Sequence, residues 1–126
     1  MLTFNVKKIW FDKIKSGEKT HEYREVKDFW TDRLVKEIFG IDKKKEPRHF
    51  ELKKYEWLEY LQKNIDICFF HKICFMNGML PEGKLPRIYA YSKTIRIVNG
   101  LKTDLKINKP VYDIEFELIG SEPCQI

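Results

Sequence analysis

The sequence predicts an α+β domain: a small curved sheet or barrel of about five or six strands with flanking helices. Three observations lead there. In the first half, apolar residues recur at every fourth position, the period of a helix face. From Asp66 onward the period falls to two, as strands require. Two Asn-Gly pairs, Asn77-Gly78 and Asn99-Gly100, punctuate that second half where strands must turn.

Taken in order, residues 2–6 ("LTFNV") read as a short strand, and Val6, Trp10 and Ile14 then mark one face of a short helix. Gly17 falls just past its end, where a left-handed backbone favours glycine. "KTHEYREV", Lys19 to Val26, is rich in residues that favour extension and reads as a strand starting directly after the turn. Asp28 is placed to cap a second helix, with Trp30, Leu34 and Ile38 inward and Gly40 at its end. Residues 41–49 read as a basic loop, and Phe50 to Lys63 as a third helix with Leu52, Tyr55, Leu58 and Leu61 on its apolar stripe.

In "DICFFHKICF" one strand face takes Ile67, Phe69, Ile73 and Phe75, with His71 among them as a hydrogen-bonded core histidine. "RIYAYSKTIRIV" reads as a long strand. The closing "VYDIEFEL" alternates, with Tyr112, Ile114, Phe116 and Leu118 inward and Asp113, Glu115 and Glu117 outward.

A chain of 126 residues suits a single domain, residues 1–126, with a modest core. Its 43% hydrophobic and 34% charged residues fit a soluble globular protein, and no apolar run is long enough to cross a bilayer. The opening "MLTFNVKKIW" lacks the apolar segment and cleavage site of a signal peptide, so the expected location is cytoplasmic. Cys68, Cys74 and Cys124 are then expected as free thiols. The net charge of +5 favours encounter with phosphate-rich partners without selecting one.

Metal and cofactor chemistry find little support. Cys68, His71 and Cys74 stand three apart, but strand alternation points His71 away from both thiols, so they do not converge on an ion. The chain has no Gly-x-Ser-x-Gly, no phosphate-binding Gly-x-x-x-x-Gly-Lys and no dinucleotide fingerprint. No cofactor is expected. The basic residues Lys43, Lys44, Lys45, Arg48, Lys53 and Lys54 are interleaved with Asp42, Glu46, Glu51, Glu56 and Glu59, the pattern of a solvated helix face.

The stretch "GEKTHEYR" carries the chemistry. Strand parity puts Glu22 and Arg24 on one face, within reach of each other. On an open surface they make a weak ion pair; in a concave setting with Lys19 they hold a polar planar ligand. Gly17, Lys19, Glu22 and Arg24 match Gly-x-Lys-x-x-Glu-x-Arg. With the order of elements, the "FMNGM" turn and the closing "PVYDIEFELIG", this resembles the ASCH domain family, a branch of the PUA-like β-barrels. The resemblance covers most of the chain and fits residues 41–64 least, which it marks as a helical insertion.

That resemblance implies a PUA-like barrel with a cleft lined by Lys19, Glu22 and Arg24, Gly17 making the turn and Tyr23 and Asn77 beside the ligand. The implied partner is RNA or a small nucleobase-containing ligand, with Tyr23, Tyr89 and Tyr91 as candidate stacking surfaces. Some similar proteins are amidohydrolases that deacetylate N4-acetylcytidine, and in that case Lys19 and Glu22 are the implied catalytic pair. Those enzymes keep a threonine hydroxyl where this chain has Glu22, while its own Thr20 adjoins Lys19. Two expectations follow: an RNA or modified-nucleotide binding domain, or a small amidohydrolase acting on an acylated nucleoside.

Overall fold

The computed structural model describes residues 1–63, 66–78 and 86–122. In chain order they form β1 (Leu2–Asn5), α1 (Lys8–Lys15), β2 (His21–Glu25), α2 (Asp28–Phe39), α3 (Pro47–Gln62), β3 (Ile67–Cys68), β4 (Lys72–Met76), β5 (Arg87–Asn99), a short 3₁₀ turn (Gly100–Lys102) and β6 (Pro110–Glu122). The six strands make one sheet in the order β1-β4-β5-β6-β2, with β3 also paired to β5. It curls into a half-barrel flanked by the three helices, the α+β architecture expected. No helix among the described residues is long and apolar enough to cross a membrane.

Curvature comes from the two longest strands. β5 and β6 run antiparallel for 13 residues each, and their register shifts between Tyr89 and Ala90 and again between Ser92 and Thr94. Each shift bends the ladder and increases its twist, which wraps the sheet round its apolar face. β1 joins the opposite end in parallel with β4, so the first and second strands of the chain become the two edges.

The strand read across "DICFFHKICF" is broken in two at Phe69–His71. Ser92 fills the gap: its hydroxyl donates to the Phe69 carbonyl and accepts from the His71 N–H at 3.0 Å. With those groups satisfied the chain can bulge at no loss of hydrogen bonding. His71 is not a core residue as expected. The bulge leaves its side chain 35% exposed, with its ring stacked on Phe69.

Phe4, Phe75 and Phe116 run ring against ring through the core, with centroids 5.6 and 4.8 Å apart, and the Ile73, Ile88, Ile95 and Ile114 side chains fill in around them. α2 adds Leu34 and Val35, and α3 adds Phe50, Trp57 and Leu61. Leu52 and Tyr55, placed inward by sequence, are 55% and 67% exposed. The inward stripe is instead Phe50, Lys54, Trp57 and Leu61, and an ion-paired lysine breaks its apolar pattern: Lys54 Nζ lies 2.9 Å from both Asp28 and Asp32 of α2. Asp28 is therefore not a cap. It opens the helix after Lys27, and its carboxylate faces α3. Pro47 pre-sets the first turn of α3, which starts ahead of the expected Phe50.

The last strand keeps its predicted parity for Tyr112, Ile114 and Phe116, all buried, while Leu118 is half-buried and Glu117 exposed. Asp113 departs from it at 4% exposure. It lies on the outer face as expected, but Tyr23 of β2 and Arg96 of β5 flank it across the sheet and cover it. Cys68 is exposed and Cys74 buried, so the two do not share an environment; Cys124 lies outside the described residues.

Tyr112 joins the layers, its hydroxyl 2.7 Å from Thr31 Oγ1 of α2 and 3.4 Å from Trp57 Nε1 of α3. Tyr112→Phe should destabilise the protein by about 1–2 kcal/mol, because both partners stay buried and one bond short. Phe75→Ala should cost about 3–5 kcal/mol by opening a cavity in the aromatic row. Urea unfolding measures both, and equal losses would show that the aromatic row is not the mechanical centre of the core.

Candidate functional site

α1 is capped by Ser16, and Gly17 takes φ +83°, a conformation open to glycine at no steric penalty. The chain reverses there and Lys19 emerges at the mouth of β2. Glu22 is next, 5% exposed, its carboxylate accepting from the Tyr23 N–H and from Arg24 Nη2, each at 3.1 Å. A buried carboxylate demands such partners, and these are both local in sequence.

Arg24 does more than neutralise Glu22. Its Nη2 also donates to the Asn5 carbonyl at 3.1 Å, and Asn5 ends β1, the opposite edge of the sheet. The guanidinium thus bridges the seam of the half-barrel. It lies against a stacked aromatic pair, 4.7 Å from the Trp30 centroid and 5.3 Å from that of Phe4.

Lys19 is the centre of the site. Its side chain is 9% exposed, with Nζ 2.5 Å from Asp104 and 3.9 Å from Glu22. The rings of Trp10 and Tyr23 stand 5.3 and 5.0 Å from the same nitrogen. Asp104 comes from the connection between β5 and β6, which is pinned at Gly100: a Cβ there would lie 2.6 Å from the Ile107 carbonyl oxygen. That close approach sets the path of the connection and so the place of Asp104.

Two hollows of about 540 and 600 Å³ meet over Lys19 and share Trp10, Tyr23 and Asp104. The first opens on the outer face of β2, past His21, and is rimmed by Lys13, Lys102 and Lys106. Among the described residues no carboxylate lies within 4 Å of these three lysines. The second follows the seam along Glu22, Arg24, Asn5 and Leu105. β2 is an edge strand, so side chains from both its faces reach one cleft.

On the outer face a polar row supports this wall. His21 Nδ1 is 2.6 Å from Asp113, whose other oxygen accepts from Arg96 Nε at 2.9 Å. The Asp113 carboxylate pushes the Arg96 guanidinium further up from its already high ordinary value. Burial, followed by the charges of Asp113 and Asp104, raises the Tyr23 phenol above the usual tyrosine value.

The structure therefore brings Lys19, Glu22, Tyr23 and Arg24 to one cleft, with Gly17 making the turn; Thr20 is exposed on the outer hollow. Asn77 lines neither hollow. Its neighbour Gly78 donates to Asn5 Oδ1 at 2.8 Å, so the turn acts on the seam through Asn5. Tyr89 and Tyr91 sit on the central strand away from the cleft, Tyr89 with Lys72 over its ring and Tyr91 52% exposed. Trp10 and Asp104 were not singled out by sequence. Trp10 reads as one more residue of an apolar helix stripe, and nothing local to Asp104 signals its partner 85 positions away.

Among protein-family models, curated proteins and solved structures alike, nothing matches this chain.

The raised Tyr23 phenol has a consequence for alkaline stability. A folded-state value above the unfolded one means stability is full below the ordinary tyrosine range of about 10 and is lost as pH rises through the folded value. Tyr23→Phe should flatten that loss relative to wild type, and denaturant midpoints from pH 8.5 to 11 compare the two. Parallel curves would show that Tyr23 feels no such environment.

Proposed function

We propose that the cleft binds a nucleobase-containing ligand, as part of RNA or as a modified nucleotide. One observation carries it: the Lys19 ammonium, with the Asp104 and Glu22 carboxylates within 4 Å, stands over the rings of Trp10 and Tyr23, and Arg24 follows along the same cleft. Planar heterocycles with hydrogen-bonding edges need both, a stacking surface and polar groups in the ring plane. Lys13, whose ammonium stands over Trp10, and Lys102 and Lys106, none with a carboxylate within 4 Å among the described residues, suit the phosphate of such a ligand at the rim. The resemblance of Gly17, Lys19, Glu22 and Arg24 to the ASCH signature supports the same conclusion, in which the half-barrel is a PUA-like domain.

Deacylation of a nucleoside fits less well. It requires the Lys19 amine free to attack or to accept a proton, and here Asp104 and Glu22 engage it. Thr20, the nearest hydroxyl in sequence, is exposed on the outer hollow.

Lys19→Met removes the charge at nearly constant length, whereas Lys19→Arg keeps it. Loss of a charged hydrogen bond should weaken binding of nucleotides by about 10- to 100-fold in the methionine variant, with part of the affinity kept by arginine. Calorimetric titration with the four ribonucleoside monophosphates and cytidine measures this, with melting curves confirming that both variants fold. Wild type should not turn over N4-acetylcytidine. Sustained turnover, abolished by either substitution, would make the protein an amidohydrolase instead.

A further inference from the structure

The seam hollow does not end at Arg24. On the other side of that guanidinium lies a third hollow of about 300 Å³, and it shares both Asn5 and Arg24 with the cleft. Its floor is the first two turns of α2: Phe29, Trp30 and Arg33. Phe29 is 58% exposed and stands edge-on to Trp30, with centroids 5.1 Å apart. Arg33 lies over both rings, 4.3 Å from Phe29 and 5.6 Å from Trp30.

Two features of this patch suit a ligand. Phe29 is a large aromatic side chain more than half exposed, and the Arg33 guanidinium lies over it with no carboxylate within 4 Å among the described residues. No acidic residue lines the hollow at all. An exposed aromatic side chain beside Arg33, which has no carboxylate partner, and Arg24, whose charge Glu22 shares, matches a polyanion that also carries ring faces, which is the chemistry of a single-stranded polynucleotide. The sequence of groups along the groove repeats: Tyr23 and Trp10 beside Lys19, then Trp30 and Phe29 beside Arg24 and Arg33.

We propose that the hollow over Phe29, Trp30 and Arg33 is a second nucleotide subsite, so that the ligand is a single-stranded oligonucleotide crossing the seam at Arg24. One base occupies the Lys19 cleft, a neighbouring base stacks on Phe29, and Arg33 meets the phosphate beside it. This rests on the base-binding role proposed for the cleft and identifies its ligand as a polymer, where a mononucleotide fills only half of the groove.

The test compares the four ribonucleoside monophosphates with hexamers of adenylate, cytidylate and uridylate, in ribo and deoxy forms, by calorimetry and fluorescence anisotropy at several salt concentrations. Hexamers should bind at least about 10-fold tighter than monophosphates, from one added stacked base. Phe29→Ala and Arg33→Ala should each lower hexamer affinity by about 5- to 100-fold while leaving monophosphate binding and the melting temperature unchanged. Arg33→Ala should also reduce the salt slope by about 0.7. A preference between ribo and deoxy hexamers assigns the natural polymer and in either direction supports the subsite.

Monophosphate binding with no gain for hexamers, or hexamer affinity untouched in both α2 variants, overturns the subsite and leaves the cleft as a nucleotide site. Hexamer binding that depends on Phe29 and Arg33 but not on Lys19 also overturns it, since the two hollows are then not one groove. A concentration-dependent dimer abolished by Phe29→Ala assigns the patch to a second copy of the chain and overturns it as well. Absence of any binding, by monomer or polymer, removes the base-binding role and the subsite together.

Discussion

A sheet that curls without closing leaves two strand edges facing each other, and the rest of this molecule is arranged around that seam. β1 and β2 are far apart in the sheet order yet near each other in space, and Arg24 connects them through the Asn5 carbonyl. One hydrogen bond does not zip an edge, but it fixes the width of the gap. Glu22 pairs with the arginine and the stacked Trp30 and Phe4 rings lie against it, so the bridging group has little freedom. The cleft is the remainder of a barrel wall, and its residues come from an edge strand because only there do both side-chain parities reach one space.

How much of this was legible depends on how local each cause is. Gly17, Lys19, Glu22 and Arg24 could be placed together because a turn, a short strand and alternation are all set within eight residues. The half-barrel could be expected because the alternation of β5 and β6 spans whole strands and outweighs local exceptions. Asp104 could not be found, because its position follows from the contact of Gly100 with Ile107, a matter of loop path. Asp113 was assigned correctly to the outer face and wrongly to solvent. Strand parity gives direction, while burial depends on which neighbours cross over it, here Tyr23 and Arg96.

α3 shows the same limit from the other side. A sequence stripe of Leu52, Tyr55, Leu58 and Leu61 is a fair helix face, but so is Phe50, Lys54, Trp57 and Leu61, and the charge partners on α2 let the second turn inward while Leu58 keeps partial contact with the core. Lys54 can sit inward, its side chain 13% exposed, because Asp28 and Asp32 meet its ammonium. The pair of acids also raises the Lys54 ammonium above its ordinary value, against the opposing effect of burial. A charge that seems to disqualify a face becomes the joint between two helices.

Lys19, whose ammonium stands over the Trp10 and Tyr23 rings, already has a guest: the Asp104 carboxylate, at hydrogen-bond distance. Occupation of the pocket is therefore an exchange and not a filling, and its free energy is the difference between two sets of contacts. A compound that offers only negative charge replaces one anion by another and must face the displaced Asp104, so bare phosphate gains little. A compound that accepts from Lys19 and also donates to Asp104 leaves both satisfied. For the ligand proposed above, this internal competitor would favour a heterocycle with mixed donors and acceptors over a simple anion.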